Sequence, residues 1–180
     1  MRAGYIIALA ASLWLAAFAR DATDAWIDAT VFPKLQLDTS AEVVDRNGDL
    51  LRVYTVSDGR WRLAVTPDQV DPAFVTALLA YEDKRFYSHG GVDPWALLRA
   101  AAQAAMHLHV VSGGSTLTMQ VARLLEESGT GHFGGKLRQI RVALALERRL
   151  SKTEILHLYL LLAPYGGNLE GIRAATLSYF

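Results

Sequence analysis

The chain contains no cysteine, which excludes disulfides, cysteine-based zinc sites and a thiol nucleophile, and fits an exported protein. It also lacks any excess of charge. Eighteen Lys and Arg balance eighteen Asp and Glu, so no global field attracts nucleic acid, and no nucleic-acid-binding motif occurs; nucleic acid is set aside as a partner. Charge is missing altogether from residues 3–19, which Arg2 and Arg20 bracket. Apolar residues are plentiful instead. A hydrophobic content of 52% over 180 residues is high for a purely soluble chain and points to contact with lipid.

As a helix the uncharged run spans roughly 25 Å, a little short of the ~30 Å hydrocarbon core of a bilayer. Ala17-Phe18-Ala19 before Arg20 also has the Ala-x-Ala form of a signal-cleavage site. Residues 1–20 therefore read as a membrane anchor or as a secretory signal. In either case Arg2 marks the end that stays inside, and the rest of the chain is expected across the membrane. Residues 21–41, with Trp26, Phe32 and Pro33, show no clean period and read as a juxtamembrane connector. Residues 42–45 and 50–55 flank Asn47-Gly48, a strong hairpin signal, and a second turn at Asp58-Gly59 leads into residues 61–65. This predicts a small β element without chemical side chains.

Asp71-Pro72 is a helix-start pair, and the spacing of Phe74, Val75, Leu78 and Leu79 predicts a helix over residues 72–86 with one buried face. Glu82 falls on that face. A carboxylate there is either capped by the backbone of the following turn or serves as a general base in a partly desolvated site, the setting that makes a Glu useful near neutral pH. Asp93-Pro94 opens a further helix rich in Ala and Leu. His107 and His109 near its end lie two apart, on different helical faces, and make a poor metal site.

Ser112-Gly113-Gly114-Ser115-Thr116 precedes a helical run in which Leu117, Val121, Leu124 and Leu125 form an apolar stripe. Free backbone N–H groups at such a terminus suit an anion. Thr116, Gln120 and Arg123 lie on a neighbouring polar face. Residues 136–149 read as another helix, and Ser151-Lys152-Thr153-Glu154 as the capping box of the next, which Pro164 and Gly166-Gly167 stop. Lys136, Arg138, Arg141, Arg148, Arg149 and Lys152 are set against the single acid Glu147. Such a bias is either a solvated helix face or an attractor of phosphates and anionic lipid.

Three stretches together carry a resemblance. Glu82-Asp83, Phe86, His89 and Gly91 match the Glu-Asp-x-x-Phe-x-x-His-x-Gly signature of the peptidoglycan glycosyltransferases, the transglycosylase domains of bifunctional penicillin-binding proteins. Residues 113–120 match their Gly-Gly-Ser-Thr-x-Thr-x-Gln run, with Arg123 where the family usually has Lys. Residues 136–156 resemble the family's Arg-Lys-x-x-Glu motif and the segment after it. Three positions depart: Gly135 replaces the Arg, Gln139 the second glutamate, and Leu161 an Asn. One branch of the family carries Gln at the position of Gln139.

The resemblance implies a mainly α-helical, lysozyme-like fold with a small N-terminal β-hairpin and an N-terminal transmembrane or signal helix. The glycosyltransferase domain would occupy residues 42–180. No Ser-x-x-Lys pattern occurs, so no transpeptidase site is expected within this chain, and the stop at Phe180 inside a family motif leads to the expectation of a fragment truncated at its C-terminal end. The implied activity is polymerisation of lipid II into glycan strands with release of undecaprenyl pyrophosphate, in a single-pass protein of the bacterial cytoplasmic membrane with its catalytic domain on the periplasmic side. The implied partners are lipid II, the growing strand, the membrane and other cell-wall synthesis proteins.

By the same resemblance Glu82 is the general base, and Gln139 occupies the second glutamate's place. Lys136, Arg123, Gln120, Ser115, Thr116, Thr118 and Gly114 bind substrate or pyrophosphate, while Asp83, Phe86 and His89 support Glu82 and its loop. Mg²⁺ or another divalent cation is compatible with a pyrophosphate, although no ligand cluster calls for one. Two alternatives stand beside this reading. A lysozyme-type glycan-cleaving enzyme working by inversion wants a second carboxylate opposite Glu82, where Gln139 stands. A non-catalytic membrane-anchored module binding glycan or partner proteins fits Gly135, Gln139 and Leu161 but not Glu82, Gln120 and Lys136.

Overall fold

The computed structural model describes residues 2–107, 114–126 and 133–180. The chain divides into two compact units, residues 1–31 and 32–180. The first is built on α1 (Arg2–Asp28), whose 27 residues extend ~40 Å. Gly4–Asp28 is long and apolar enough to cross a membrane, a test that a signal sequence also passes. The helix runs past residue 20, so the first part of the expected connector is helical. Residues 30–40 carry no regular element.

The expected hairpin is present. β1 (Ala41–Val44) pairs antiparallel with β2 (Leu50–Tyr54), Ala41 opposite Tyr54, with an irregularity between Val43 and Val44. Its turn is locally determined: the Asp45 carboxylate accepts from the N–H groups of Asn47 and Asp49 at 2.7 and 2.9 Å, and Gly48 takes φ +91°. β3 (Trp61–Arg62) pairs in parallel with β4 (Leu169–Glu170), a contact between distant parts of the chain. Buried Arg62 clamps it, donating through Nε to Glu170 at 2.8 Å and through Nη1 to the Asp38 carbonyl at 3.1 Å.

Six further helices, among the described residues, form the body: α2 (Pro72–Glu82), α3 (Pro94–His107), α4 (Leu117–Glu126), α5 (Phe133–Arg149), α6 (Lys152–Leu162) and α7 (Ile172–Tyr179). Their starts follow from local chemistry. Asp71 accepts from the Ala73 N–H at 2.7 Å, Asp93 from those of Trp95 and Ala96, and Ser151 and Glu154 form the reciprocal capping box. α2 is shorter than expected, ending at Glu82, and a 3₁₀ turn follows at Phe86–Ser88.

The core lies where α4, α5 and α6 meet. Leu117, Met119, Val121, Leu146, Ile155 and Leu160 are fully withdrawn from solvent, each contributing about 1.5–3 kcal/mol of transfer free energy. The apolar stripe of α4 therefore includes Met119 and Ala122, while Leu124 and Leu125 are half-buried. Phe74, Val75, Leu78 and Leu79 of α2 pack on this core as expected, but only partly buried.

Candidate active site

Glu82 is the last residue of α2 and half-buried. The Gln120 Nε2 amide of α4 donates to its Oε2 at 2.8 Å, which leaves Oε1 as the oxygen without that donor. Glu82 lines an open cleft of about 870 Å³ together with Lys84, Arg85, Arg99, Ser115 and Gln120. A backbone cap is therefore not what holds this carboxylate; a side chain 38 residues away does.

The buried acid of the pair is Asp83. Its Oδ2 accepts the Leu117 N–H at 2.8 Å, and both its oxygens lie 3.0 Å from His89 Nε2. The expected anion site at the start of α4 is corrected by this contact. Asp83 itself is the anion at that helix end, and the Met119 N–H is taken by Thr116 Oγ1 at 3.1 Å. The remaining amides of the expected terminus include Gly113, which with Ser112 and His109 lies outside the described residues; the side chain of His107 is likewise not described. Asp83 and His89 thus fix the loop and α4, and no bond from either reaches Glu82; positioning of Glu82 falls to Gln120.

Beyond His89 the loop is pressed against α5. Gly91 has φ +88°, and a Cβ there would stand 2.7 Å from the Ala143 carbonyl oxygen. Its own carbonyl accepts from Thr116 Oγ1 at 2.5 Å. Lys152 closes the other side: Nζ donates to the His89 carbonyl at 2.7 Å and to Glu147 Oε1 at 2.6 Å, and lies 4.5 Å from the centre of the Phe86 ring. Glu147 also accepts from Thr118 Oγ1 at 2.7 Å. Phe86 is core, with 1% of its surface exposed.

A second, smaller cavity of about 140 Å³ adjoins the cleft and shares Ser115 and Gln120 with it; Met119, Arg123, Lys136 and Gln139 complete its wall. Lys136 Nζ donates to Ser115 Oγ at 2.5 Å. Burial, and then the charge of Arg123, hold the Lys136 ammonium below the ordinary lysine pKa. Gln139 points inward with Val142, Ala143 and Leu146, as its spacing predicts, and is 4% exposed. Among the described residues its Nε2 has no hydrogen-bond partner.

The structure thus gathers Glu82, Gln120, Ser115, Thr116, Lys136, Arg123 and Gln139 along two joined cavities. Two expected ligand-binding residues line neither. Thr118 is wholly buried and serves Glu147, and Gly114 packs against α3, where a Cβ would stand 3.0 Å from Leu97. The basic segment is also dispersed: Lys152 braces the loop, Arg138 pairs with Glu126, and Arg149 stacks on Phe32 at 3.7 Å.

Some contributors escaped the sequence reading. Tyr159 is pushed up to about 12, by burial first and then by the charge of Glu82, and Tyr165 is raised by the same two causes, so both phenols stay protonated beside that carboxylate. Tyr159 sits in the helix that the Ser151 capping box starts and Tyr165 just after Pro164, which stops it. The bracing role of Lys152 with Glu147 had one visible signal, a lone acid in a basic segment. Arg85 and Asp93 form a further pair at the cleft wall. Burial works against the Asp93 charge, but the Arg85 guanidinium and the Ala96 and Trp95 amides outweigh it and lower its pKa.

Among the described residues, no three His, Asp or Glu side chains cluster to hold a metal ion. The smaller cavity offers a hydroxyl, two amides and two cations, which is not the oxygen-rich, anionic donor set that Mg²⁺ takes. The residues of the smaller cavity do not fit a resident divalent ion.

The sequence profile of the Transglycosylase family matches residues 47–180. Penicillin-binding protein 1C of Escherichia coli strain K12 is 48% identical over 147 residues, covering 82% of this chain and 19% of the relative. Penicillin-binding protein 1A of the same strain is 35% identical over 153 residues, 85% of this chain and 18% of that protein. Penicillin-binding protein 1F of Bacillus subtilis strain 168 is 36% identical over 148 residues, 82% and 20% respectively. The chain spans about a fifth of the length of these relatives.

Proposed function

The chain belongs to the transglycosylase family of penicillin-binding proteins, and on that premise we propose that it polymerises lipid II into glycan strands with inversion at the anomeric carbon. A sugar hydroxyl of the acceptor gives its proton to Glu82 Oε1 while its oxygen bonds to the donor's anomeric carbon. The bond from that carbon to the lipid pyrophosphate breaks, and the electron pair leaves with the phosphate oxygen. The observation that carries this reading is the position of Glu82 in the large cleft, with the cationic pocket of Lys136 and Arg123 adjoining it across Gln120 and Ser115.

Base and leaving-group site are thereby separate, as the reaction requires. Gln120 holds one Glu82 oxygen and leaves the other for the proton; a well-placed base is worth ~10²–10⁴ in rate. The leaving group is an anion, and two cations waiting in a half-closed pocket stabilise it without reorganising. Gln139 offers its amide to a phosphate oxygen. Hydrolysis by inversion would need a second carboxylate facing Glu82. Asp83, the nearest in sequence, is committed to α4 and His89.

Residues 42–180 form the catalytic domain in this reading, and α1 the anchor that keeps it beside its lipid-linked substrate. Arg2 at the start of α1 favours the cytoplasmic side for that end, with the domain on the periplasmic side.

The test is polymerisation of labelled lipid II by the detergent-solubilised protein, read as glycan length on a gel, beside Glu82→Gln. We expect long glycan from the parent and at least a hundredfold loss in the variant, with circular dichroism showing both folded. A folded parent that makes no polymer, or a variant that keeps the parental rate, overturns the proposal.

A further inference from the structure

We infer that the small pocket recognises pyrophosphate with two side-chain cations and an amide and works without a divalent metal, Gln139 supplying a neutral donor where a carboxylate would create a metal requirement. The inference rests on the pyrophosphate role proposed above for this pocket.

Its first support is the unpartnered Gln139 amide. Among the described residues its Nε2 is buried without an acceptor, on the wall of a cavity that also presents Lys136 and Arg123. An unmet buried donor is costly, and an incoming phosphate oxygen meets it, whereas a metal cation does not. The second support is charge. Burial first, and then the neighbouring Arg123 guanidinium, disfavours the Lys136 ammonium. An anion relieves that conflict and a divalent cation adds to it.

The third support is that, among the described residues, no carboxylate lines the pocket wall. Glu82 accepts from Gln120, Asp83 holds the Leu117 N–H and His89, Glu126 pairs with Arg138, and Glu147 serves Thr118 and Lys152. A metal entering with the phosphates would find no carboxylate on the pocket wall to complete its shell. Two cations and one amide donor can instead surround the phosphate oxygens directly.

The experiment titrates inorganic pyrophosphate into the detergent-solubilised full chain by calorimetry, in EDTA and in millimolar Mg²⁺, and titrates Mg²⁺ alone as a control. We expect the parent to bind pyrophosphate at least as tightly in EDTA as in Mg²⁺, and Mg²⁺ alone to give no binding heat. Gln139→Glu is expected to lose at least tenfold in affinity in EDTA and to regain it when Mg²⁺ is added. Gln139→Leu, which removes the donor without adding charge, loses affinity that Mg²⁺ does not restore, and keeps the test open if the glutamate variant fails to fold. Binding by the parent only in Mg²⁺ overturns this inference and leaves the pyrophosphate site standing. No binding in either buffer overturns both.

Discussion

Gly91→Ala is the perturbation whose cost follows most directly from the geometry. At φ +88° an L-residue pays a steric penalty of about 1–2 kcal/mol. The new methyl also meets backbone, the Ala143 carbonyl oxygen at 2.7 Å and carbon at 2.9 Å. These atoms belong to the middle of α5 and cannot rotate away as a side-chain end would. Overpacking of this kind costs about 1–3 kcal/mol, so the expected loss is about 2–5 kcal/mol. With a urea slope of ~2 kcal/mol/M, the midpoint should fall by about 1–2.5 M. Gly90→Ala is the matched control, since a Cβ there meets nothing within 4 Å and φ is not positive; a change within about 0.5 kcal/mol is expected. Urea unfolding of the detergent-solubilised protein, followed by far-ultraviolet circular dichroism, measures both. A Gly91→Ala protein as stable as the Gly90→Ala protein would refute the packing argument. Because the Gly91 carbonyl holds Thr116 at the start of α4, surviving Gly91→Ala protein should also polymerise glycan more slowly.

Two further outcomes concern the site. Gln120→Leu removes the donor to Glu82 Oε2 and should lower kcat about 10- to 100-fold, or ~1.4–2.7 kcal/mol, with a smaller change in KM; steady-state polymerisation kinetics with an unchanged kcat would remove Gln120 from the positioning role. The Lys136 ammonium is held below 10.5 by burial and by Arg123, so its charge is present at lower pH and is lost on the alkaline side earlier than for an ordinary lysine. Pyrophosphate affinity should therefore fall as pH rises toward 10.5, and an anion in the pocket should raise the lysine's pKa with uptake of a proton. Calorimetry in buffers of different ionisation enthalpy detects that uptake, and Lys136→Met should abolish it.

The adjacent acids Glu82 and Asp83 have different surroundings. Glu82 faces the cleft from a half-buried position, while its neighbour Asp83 is withdrawn and spends its charge on the α4 terminus and His89. In the proposed reaction the two adjacent carboxylates would divide proton transfer from scaffolding. Lys152 and Glu147 extend the scaffold to α5 and α6, so the loop carrying Asp83, Phe86, His89 and Gly91 is fixed from three sides. Lys152 donates to the His89 carbonyl as well as to Glu147, so a change at Lys152 bears on the loop as much as on α6.

Much of this protein is written locally. The Asn47-Gly48 turn, the Asp71, Asp93 and Ser151 caps and the inward spacing of Gln139 involve residues within a few positions of one another. Their hydrogen bonds and periodicity are satisfied whatever the remainder of the chain does. Glu82 at the end of an apolar helix face was legible for the same reason. What the sequence could not convey was which donor each acid would meet. Gln120 reaches Glu82 across 38 residues, the Leu117 N–H reaches Asp83 across 34, and Arg62 reaches Glu170 across 108. The need for glycine at position 91 likewise comes from Ala143 of α5. Those meetings exist only once α4, α5 and α6 have packed, because burial of their apolar faces, not any local rule, sets the distances at which the polar groups between them must pair.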